Sequence, residues 1–316
     1  YLDLRAQEIS TRHYEKILRR LPGCEVRWNV PLSRSSWPED SQTITVTALT
    51  EKDIRSLKYL TQLQTVEAEG CTDYGNLLLA QRQYPNLQVN YSVPLGTEWF
   101  SGHAKQVALE NITPEEIQLL QYLPNLQRVL CGGGTPETVT GLMEYCGENR
   151  VEFLISLGSA SFAMDTRVVN VEGVTEEQLN LLQFLPNMKK LHIREPEATA
   201  ERLLQLRQER PDVKISWERE VFGAVCTTEM TEIDLSEGRV TSLDRLDAEM
   251  AYFPDAKTVG ILYCSGEANS DYQVQKVSEY LAAKGITCKI ASNSSGIPWP
   301  SARRKTAPSA FAIAAP

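Results

Sequence analysis

The hydrophobic and polar positions of this chain follow a pattern that recurs about every 63 residues. Three phrases open with Thr50, Thr113 and Thr175, which are 63 and 62 residues apart. The phrases read TEKDIRSLKYLTQL, TPEEIQLLQYLPNL and TEEQLNLLQFLPNM. Within each phrase, apolar residues recur at the spacing of a helix with one buried face. The agreement covers many positions, which identifies an internal repeat.

Each of these phrases has the sequence signature of a helix start. The Thr is the expected N-cap, and a polar residue three positions later completes a capping box, in which each side chain hydrogen-bonds the other residue's backbone N–H. The polar partners are Asp53, Glu116 and Gln178. The acidic clusters near these starts are interpreted as helix-dipole partners and not as a general acid–base pair.

Short segments of alternating apolar residues predict strands on either side of each helix. One predicted strand precedes each Thr and another follows the helix. A third contains a column of matched apolar residues, Val26, Val89, Val151 and Ile215. Two positions later comes an aromatic column, Trp28, Tyr91, Phe153 and Trp217. Because aromatic residues at one repeat position usually pack inside the array, we expect this column in the core and not as an exposed platform for glycans or peptides.

Each repeat therefore predicts about three short strands and two helices. Such a unit cannot bury its apolar faces alone, so stacking against neighbouring units is the expected solution. The predicted fold class is an α/β solenoid of about 63-residue units, extending over residues 1–250.

A recurring phrase adds a family resemblance. Residues 22–32 read PGCEVRWNVPL, and a related phrase occupies residues 85–95, with Tyr91 in place of the Trp. Together with LxxLPNLxxV, these phrases resemble the long, divergent leucine-rich repeats of bacterial surface proteins. The chain departs from short leucine-rich repeats in lacking their Asn ladder. The resemblance implies a leucine-rich-repeat-like solenoid that presents a binding surface to a protein or glycan partner.

The pattern changes after residue 250. Residues 259–263 form a continuous apolar run, as in a strand buried on both faces of a parallel sheet. A polar loop over 264–270, an amphipathic helix over 272–283 and a strand over 286–290 follow. This order predicts a βαβ unit. Its first loop lies at the carboxyl edge of the sheet, where open α/β sheets bind ligands.

The same segment carries a second resemblance. Residues 256–273, AKTVGILYCSGEANSDYQ, are similar to the opening of ABC-transporter substrate-binding proteins of the tryptophan/peptide-uptake type. The resemblance implies part of a periplasmic-binding-protein-like lobe, with a loop that lines a ligand cleft. The implied ligand-binding residues are Ser265, Glu267, Asn269 and Ser270. The segment also fits the repeat register, so a drifted repeat stays open as an alternative.

Composition and charge exclude several classes of protein. The chain has 316 residues, is 42% hydrophobic and carries a net charge of −9. This apolar content suffices for a sizeable core and excludes a disordered chain. The acidic balance disfavours nucleic acid and anionic lipid as partners. No apolar run is long enough for a membrane span. Because the chain starts at Tyr1 without an initiator Met, we expect N-terminal residues, including any targeting signal and further repeats, to be missing.

Little in the chain suggests catalysis or a cofactor. The seven cysteines form no metal-ligand spacing, and the three histidines, His13, His103 and His192, lack repeated partners. The Cys131–Thr135 loop is glycine-rich but is not followed by GK[ST], so it is interpreted as a turn. The basic residues 303–305 lie in a predicted disordered tail. We therefore expect no catalytic residues, metal or cofactor.

The sequence as a whole predicts a non-enzymatic binding protein of the bacterial cell envelope, with a protein or glycan partner. The alternative is a fragment of an ABC-transporter substrate-binding protein that captures an amino acid or another small solute. The predicted domains are a repeat domain over 1–250, a substrate-binding-protein-like segment over 251–293 and a tail over 294–316.

Overall fold

The structure is a computed structural model that describes residues 1–236, 240, 242–263 and 270–292, with side chains at all of these except 262–263, 270–273 and 291–292. In this part the protein is mixed α/β, with short helices between short strands. The predicted tail over 294–316 lies outside the described residues.

The elements repeat in five successive copies, of which the first is partial. Copy one, residues 1–38, contains β1 (Leu2–Asp3), α1 (Thr11–Arg20), β2 (Val26–Arg27), β3 (Asn29–Leu32) and β4 (Ser35–Pro38). Copy two, residues 43–101, contains β5 (Thr43–Thr45), α2 (Glu51–Ser56), a 3-10 turn (Leu57–Tyr59), β6 (Thr65–Glu67), α3 (Tyr74–Gln83), β7 (Gln88–Asn90), β8 (Ser92–Leu95) and β9 (Glu98–Ser101).

The next two copies have the same order of elements. Copy three, residues 106–162, contains β10 (Gln106–Leu109), α4 (Pro114–Ile117), a 3-10 turn (Gln118–Tyr122), β11 (Arg128–Cys131), α5 (Pro136–Asn149), β12 (Glu152–Leu157) and β13 (Ala160–Phe162). Copy four, residues 168–227, contains β14 (Val168–Glu172), α6 (Glu176–Leu179), a 3-10 turn (Asn180–Phe184), β15 (Lys190–Arg194), α7 (Ala200–Glu209), β16 (Lys214–Val221) and β17 (Ala224–Thr227).

The segment predicted as a separate βαβ unit occupies the position of a fifth copy. Copy five contains β18 (Glu232–Asp234), α8 (Leu243–Met250), β19 (Thr258–Tyr263), α9 (Ser270–Ala283) and β20 (Thr287–Ser292). Its three strands are parallel in chain order, with Ile233 opposite Val259 and Val259 opposite Cys288. The strand–helix–strand order is as expected, and the resemblance of this segment to a substrate-binding protein stays a prediction.

The prediction of a leucine-rich-repeat-like solenoid is wrong. The strands form several small sheets of two to four strands, and in the described residues no sheet continues from one copy into the next. In copies three and four an antiparallel strand, β13 or β17, pairs with the outer edge of the third parallel strand. That strand takes the backbone N–H and C=O groups with which a following parallel strand would pair. β13 and β17 are therefore the edge strands of these two sheets on that side.

The contacts divide the chain into two compact units. The first comprises Tyr1–Asp165 and Asn180–Pro186, and the second comprises Thr166–Leu179 and the described residues from Asn187 onward. Each unit has its own buried residues, among them Trp28 and Val89 in the first and Trp217 and Phe253 in the second. The predicted domain boundaries at 250 and 293 stay predictions.

The predicted helix starts are confirmed. The Thr50 and Thr113 side chains each accept a hydrogen bond from the backbone N–H three residues later, and both capping boxes are complete. At the third start, Thr175 N–H donates to Gln178 Oε1 and Gln178 N–H donates to Thr175 Oγ1, each at 3.3 Å. Local hydrogen bonding therefore places these starts before any distant packing is considered.

The aromatic column is buried, but one predicted member does not belong to it. Trp28, Tyr91 and Trp217 are at most 3% exposed. In copy three, Phe153 lies opposite Val129, so it corresponds to Val89 in copy two, and the position of Tyr91 is taken by Ile155. The sequence alignment misses this shift because α5 has 14 residues where α3 has 10.

Candidate functional site

Most of the residues predicted to bind a small ligand lie outside the part of the chain that the structure describes. Ser265, Glu267 and Asn269 lie outside the described residues. Ser270 is the first residue of α9, and its side chain is also outside the description. The predicted ligand loop therefore stays a prediction.

The glycine-rich loop after β11 connects that strand to the N-cap of α5. Thr135 caps α5 by accepting from Thr138 N–H, and Cys131 Sγ donates to Gly133 O at 3.3 Å. A Cβ at Gly132 would lie 3.1 Å from Glu110 Oε1. The negatively charged carboxylate of Glu110 next to the loop would repel a phosphate group bound there. The carboxylate therefore disfavours a phosphate-binding loop, and the interpretation as a turn stays a prediction.

The described sheets of copies two, three and four each have one buried face and one open face. Along a strand, buried residues such as Ile44, Val107 and Val169 alternate with more exposed ones. The helices of the copy cover the buried face, as expected of strands with one apolar side. We define the open face of a sheet as the face formed by the alternate, more exposed positions of its strands. Their side chains stand in cross-strand register, which presents them as ordered rows.

The open face of copy two is a hydrogen-bonded polar array. Its rows are Thr43–Thr65–Gln88 and Thr45–Glu67–Asn90. Asn90 Nδ2 donates to Glu67 Oε1 at 2.8 Å, and Gln88 Nε2 donates to Asn90 Oδ1 at 3.1 Å. These bonds hold the amide and carboxylate groups in defined orientations. The array can exchange hydrogen bonds with a polar partner at little further entropic cost.

The open face of copy four combines charged groups with a cross-strand histidine. His192 lies directly opposite Ser216, and His192 Nδ1 is 3.0 Å from Ser216 Oγ. Glu218 Oε2 is 3.7 Å from His192 Nε2, and Glu218 Oε1 accepts from Arg194 Nε at 2.9 Å. A serine, a histidine and a carboxylate thus lie together, although the sequence alone indicated His192 as an incidental residue.

This cluster lacks the surroundings of a hydrolytic triad. In nucleophile elbows, the N–H of the residue after the serine helps to stabilise the oxyanion. Here Trp217 N–H donates to Thr228 Oγ1 at 2.8 Å, and neither residue has any exposed surface. That donor cannot reach a substrate. Glu218 is engaged by Arg194, and its 3.7 Å approach to His192 is too long for a hydrogen bond.

The first unit contains a polar cleft of about 700 Å³, which is the size of many ligand pockets. Its walls are the segment between β1 and α1, the β3–β4 turn and the start of α2. Asp53 is in the lining but is only 3% exposed. It accepts from Ser33 N at 2.7 Å, Ser33 Oγ at 2.6 Å, Thr50 N at 2.9 Å and Thr50 Oγ1 at 2.7 Å.

Asp53 therefore connects two elements and is not available for acid–base chemistry. Burial raises the pKa of this carboxyl, but the hydrogen bonds from Ser33 and Thr50 outweigh burial and lower it overall. Glu116 makes the same kind of connection in the next copy, where it accepts from Thr113 N–H at 2.8 Å and Gly96 N–H at 3.0 Å. The acid of the capping box thus also holds the tip of the preceding hairpin.

Other reactive groups are buried or isolated. Burial raises the pKa of the Cys131 thiol to about 11 and that of Cys146 and Cys226 to about 12. Thiols of this kind are unreactive at neutral pH because the thiolate is the nucleophile. Within the described residues, no group of three His, Cys, Asp or Glu side chains could hold a metal ion. No described helix is long and apolar enough to span a membrane.

Two features of these surfaces were missed by sequence reasoning. The contact of His192 with Ser216 depends on a register between strands whose paired residues are 24 positions apart, which no local pattern specifies. The hairpin contacts of Asp53 and Glu116 had a signal in the sequence. Each acid comes 20 residues after the hairpin residue that it contacts, which is Ser33 for Asp53 and Gly96 for Glu116.

Comparisons with known proteins give no family assignment. No protein-family model matches this chain, and no curated protein matches it significantly.

Proposed function

We propose that this is a non-enzymatic binding protein that uses the open faces of its individual sheets as contact surfaces. The observation that carries the proposal is the ordered rows on the open faces of copies two and four, which are polar at every position except Val168. In each of these copies the helices lie on the opposite face of the sheet. A location at the bacterial cell envelope is part of the proposal and is supported by the two sequence resemblances.

The chemistry of the open faces suits recognition by many hydrogen bonds and weak ion pairs. On copy four, Lys190 and Lys214 stand in one row, and Glu172, Arg194 and Glu218 stand in another. The side chains project from a hydrogen-bonded ladder, so a partner need not order the backbone on binding. Mixed charges fixed in register favour selectivity for the partner over simple attraction to one sign of charge.

A binding array with matched variants tests this proposal. The purified protein is applied to immobilised neutral and charged oligosaccharides and to purified extracellular protein domains. We expect at least one binder whose affinity falls about tenfold in Asn90→Ala or Arg194→Ala, since one lost contact of this kind is worth about 1.4 kcal/mol. The controls are Gln83→Ala on α3 and Gln208→Ala on α7, both exposed positions on the helix side.

The array contradicts the proposal in two cases. One is the absence of any binder. The other is a binder whose affinity falls equally in the helix-side controls, because the contact would then not involve the open faces.

The serine beside His192 provides a direct test against an enzymatic function. We expect p-nitrophenyl ester and chromogenic peptide hydrolysis to be the same in the wild type and in Ser216→Ala, because Trp217 N–H is committed to Thr228. Rates are measured under single-turnover and steady-state conditions. An acyl-enzyme burst in the wild type that Ser216→Ala abolishes would show that the protein is a hydrolase.

A further inference from the structure

We propose that the open face of copy two, extended by Trp99 on β9, binds a neutral oligosaccharide by stacking a sugar ring on the indole. This inference rests on the proposed binding function and names the class of partner for one face. The inference is based on an exposed aromatic ring in the same copy as an ordered array of amide, carboxylate and hydroxyl groups.

The side chain of Trp99 is more exposed than those of the other large apolar and aromatic residues that the structure describes in this copy. Its side chain is 63% exposed, whereas Tyr74 and Tyr91 are 6% and 3% exposed. Tryptophan combines a large apolar face with a polar N–H, and such residues carry much of the binding energy where they are presented to a partner. Because this ring stays in water in the folded chain, its apolar surface can still be buried by a partner.

The register places Trp99 on the same side as the polar array. Trp99 lies directly opposite Pro94 in the β8–β9 hairpin. Along that stretch of chain, Asn90, Ser92 and Pro94 alternate with the buried residues Val89, Tyr91, Val93 and Leu95. Asn90 ends β7 and Pro94 lies in β8, so about 13 Å of extended chain separates them, at roughly 3.3 Å per residue. A short oligosaccharide can therefore reach both Trp99 and the Asn90–Glu67 pair.

The hairpin that carries Trp99 is anchored in two places. Gly96 N–H donates to Glu116 Oε1 at 3.0 Å, and Gly102 N–H donates to Tyr91 O at 2.8 Å. Gly96 has a φ of +63°, and a Cβ at this position would lie 3.0 Å from Glu110 O. Because both ends of β9 are held, the indole is presented from an ordered strand. This lowers the entropic cost of binding.

The charge of the surface disfavours an anionic partner. In the rows Thr43–Thr65–Gln88 and Thr45–Glu67–Asn90, all of which the structure describes, Glu67 provides the one charge and there is no Lys or Arg. The whole chain carries a net charge of −9. Anionic polysaccharides and nucleic acids would be repelled, since their binding depends on cationic side chains. Hydroxyl groups, in contrast, can donate to the Glu67 carboxylate and pair with the Asn90 amide.

Titration calorimetry with defined hexasaccharides tests this inference on the full chain. The neutral probes are chitohexaose, cellohexaose, maltohexaose and mannohexaose, and the anionic probe is a hyaluronan hexasaccharide. We expect one neutral probe to bind and hyaluronan not to bind. Trp99→Ala is expected to weaken the affinity at least tenfold, and Trp99→Phe, which retains a ring, should stay within about threefold of the wild type.

The matched control is Val225→Ala on β17. Val225 is 60% exposed and lies opposite Glu220 in the hairpin of copy four, as Trp99 lies opposite Pro94 in copy two. We expect its affinity to equal that of the wild type. Circular dichroism confirms that each variant is folded.

Three results would overturn the inference: no neutral probe binds, binding survives Trp99→Ala unchanged, or hyaluronan binds as well as the neutral probes. If the neutral probes fail while a protein domain binds through the open faces, the proposed binding function stands and the inference about oligosaccharides is wrong. If nothing binds to any open face, both fail.

Discussion

Trp217→Ala is expected to lower the free energy of unfolding by about 4 kcal/mol, the usual cost of removing a fully buried aromatic side chain. Trp217 has no exposed surface. Its Nε1 donates to Tyr252 O at 2.9 Å, and the Arg207 guanidinium carbon is 5.1 Å from the ring centre. The substitution therefore leaves a cavity, an unpaired carbonyl and an arginine without its aromatic contact.

Urea denaturation followed by circular dichroism measures this effect, analysed as separate transitions if the two compact units unfold separately. Trp217→Phe separates the contribution of the aromatic ring from that of the indole N–H. The ring is retained but Tyr252 O loses its donor, so we expect a loss of about 2 kcal/mol. Trp99→Ala is the matched control, because an exposed tryptophan of the same size should change the stability by about 0.5 kcal/mol at most. Equal losses for Trp217→Ala and Trp99→Ala would contradict the burial of the Trp217 position.

Asp53→Ala is expected to lower the free energy of unfolding by about 3 kcal/mol. The substitution removes a capping-box acid, which costs about 1 kcal/mol, and the hydrogen bonds that the buried, ionised carboxylate accepts from Ser33, which adds about 1.5–3 kcal/mol. The matched variant is Glu116→Ala, at the same repeat position but half-buried, for which we expect about 1 kcal/mol. The same urea experiment measures both, and a larger loss for Glu116→Ala would show that burial of the acid is not what stabilises the hairpin contact.

The contribution of Asp53 also has a defined pH dependence. Its folded pKa lies below the unfolded value of 3.8. A lowered pKa means that the stabilisation is fully present above the unfolded pKa and is lost as the pH falls through the folded pKa. We expect the difference between the wild type and Asp53→Ala to be constant from neutral pH down to about pH 5 and to shrink below pH 3.8. A difference that shrinks already near neutral pH would contradict an ionised, hydrogen-bonded Asp53.

Much of the local structure could be predicted because local rules determine it. Thr50 with Asp53 and Thr113 with Glu116 form their capping boxes through atoms three residues apart. Similarly, the alternation at Val66 and Ala68 requires one buried face wherever the strand lies. The open faces of the sheets could not be predicted in the same way. The exposure of Trp99 and the pairing of His192 with Ser216 depend on which strands become neighbours.

The arrangement of the sheets was the principal error of sequence reasoning. A repeat of strands and helices is compatible both with one continuous sheet and with several separate ones, because the alternation of buried residues is the same in each. The hairpin strands β13 and β17 decide the outcome by occupying the outer edges of β12 and β16. The misplacement of Phe153 has a related cause, since the length of α5 sets where β12 begins.

The amino-acid sequence by itself determined the repeat, the helix starts, the strand segments and the burial of most of the aromatic column. These depend on hydrogen bonds and side-chain periodicity within a few residues. Only the tertiary structure decided that the sheets are separate, which polar rows face outward, that Asp53 and Glu116 each hold a hairpin tip, and that Trp99 stands in water. Those outcomes depend on backbone edges and side chains that are distant in the chain and meet only when the copies are folded.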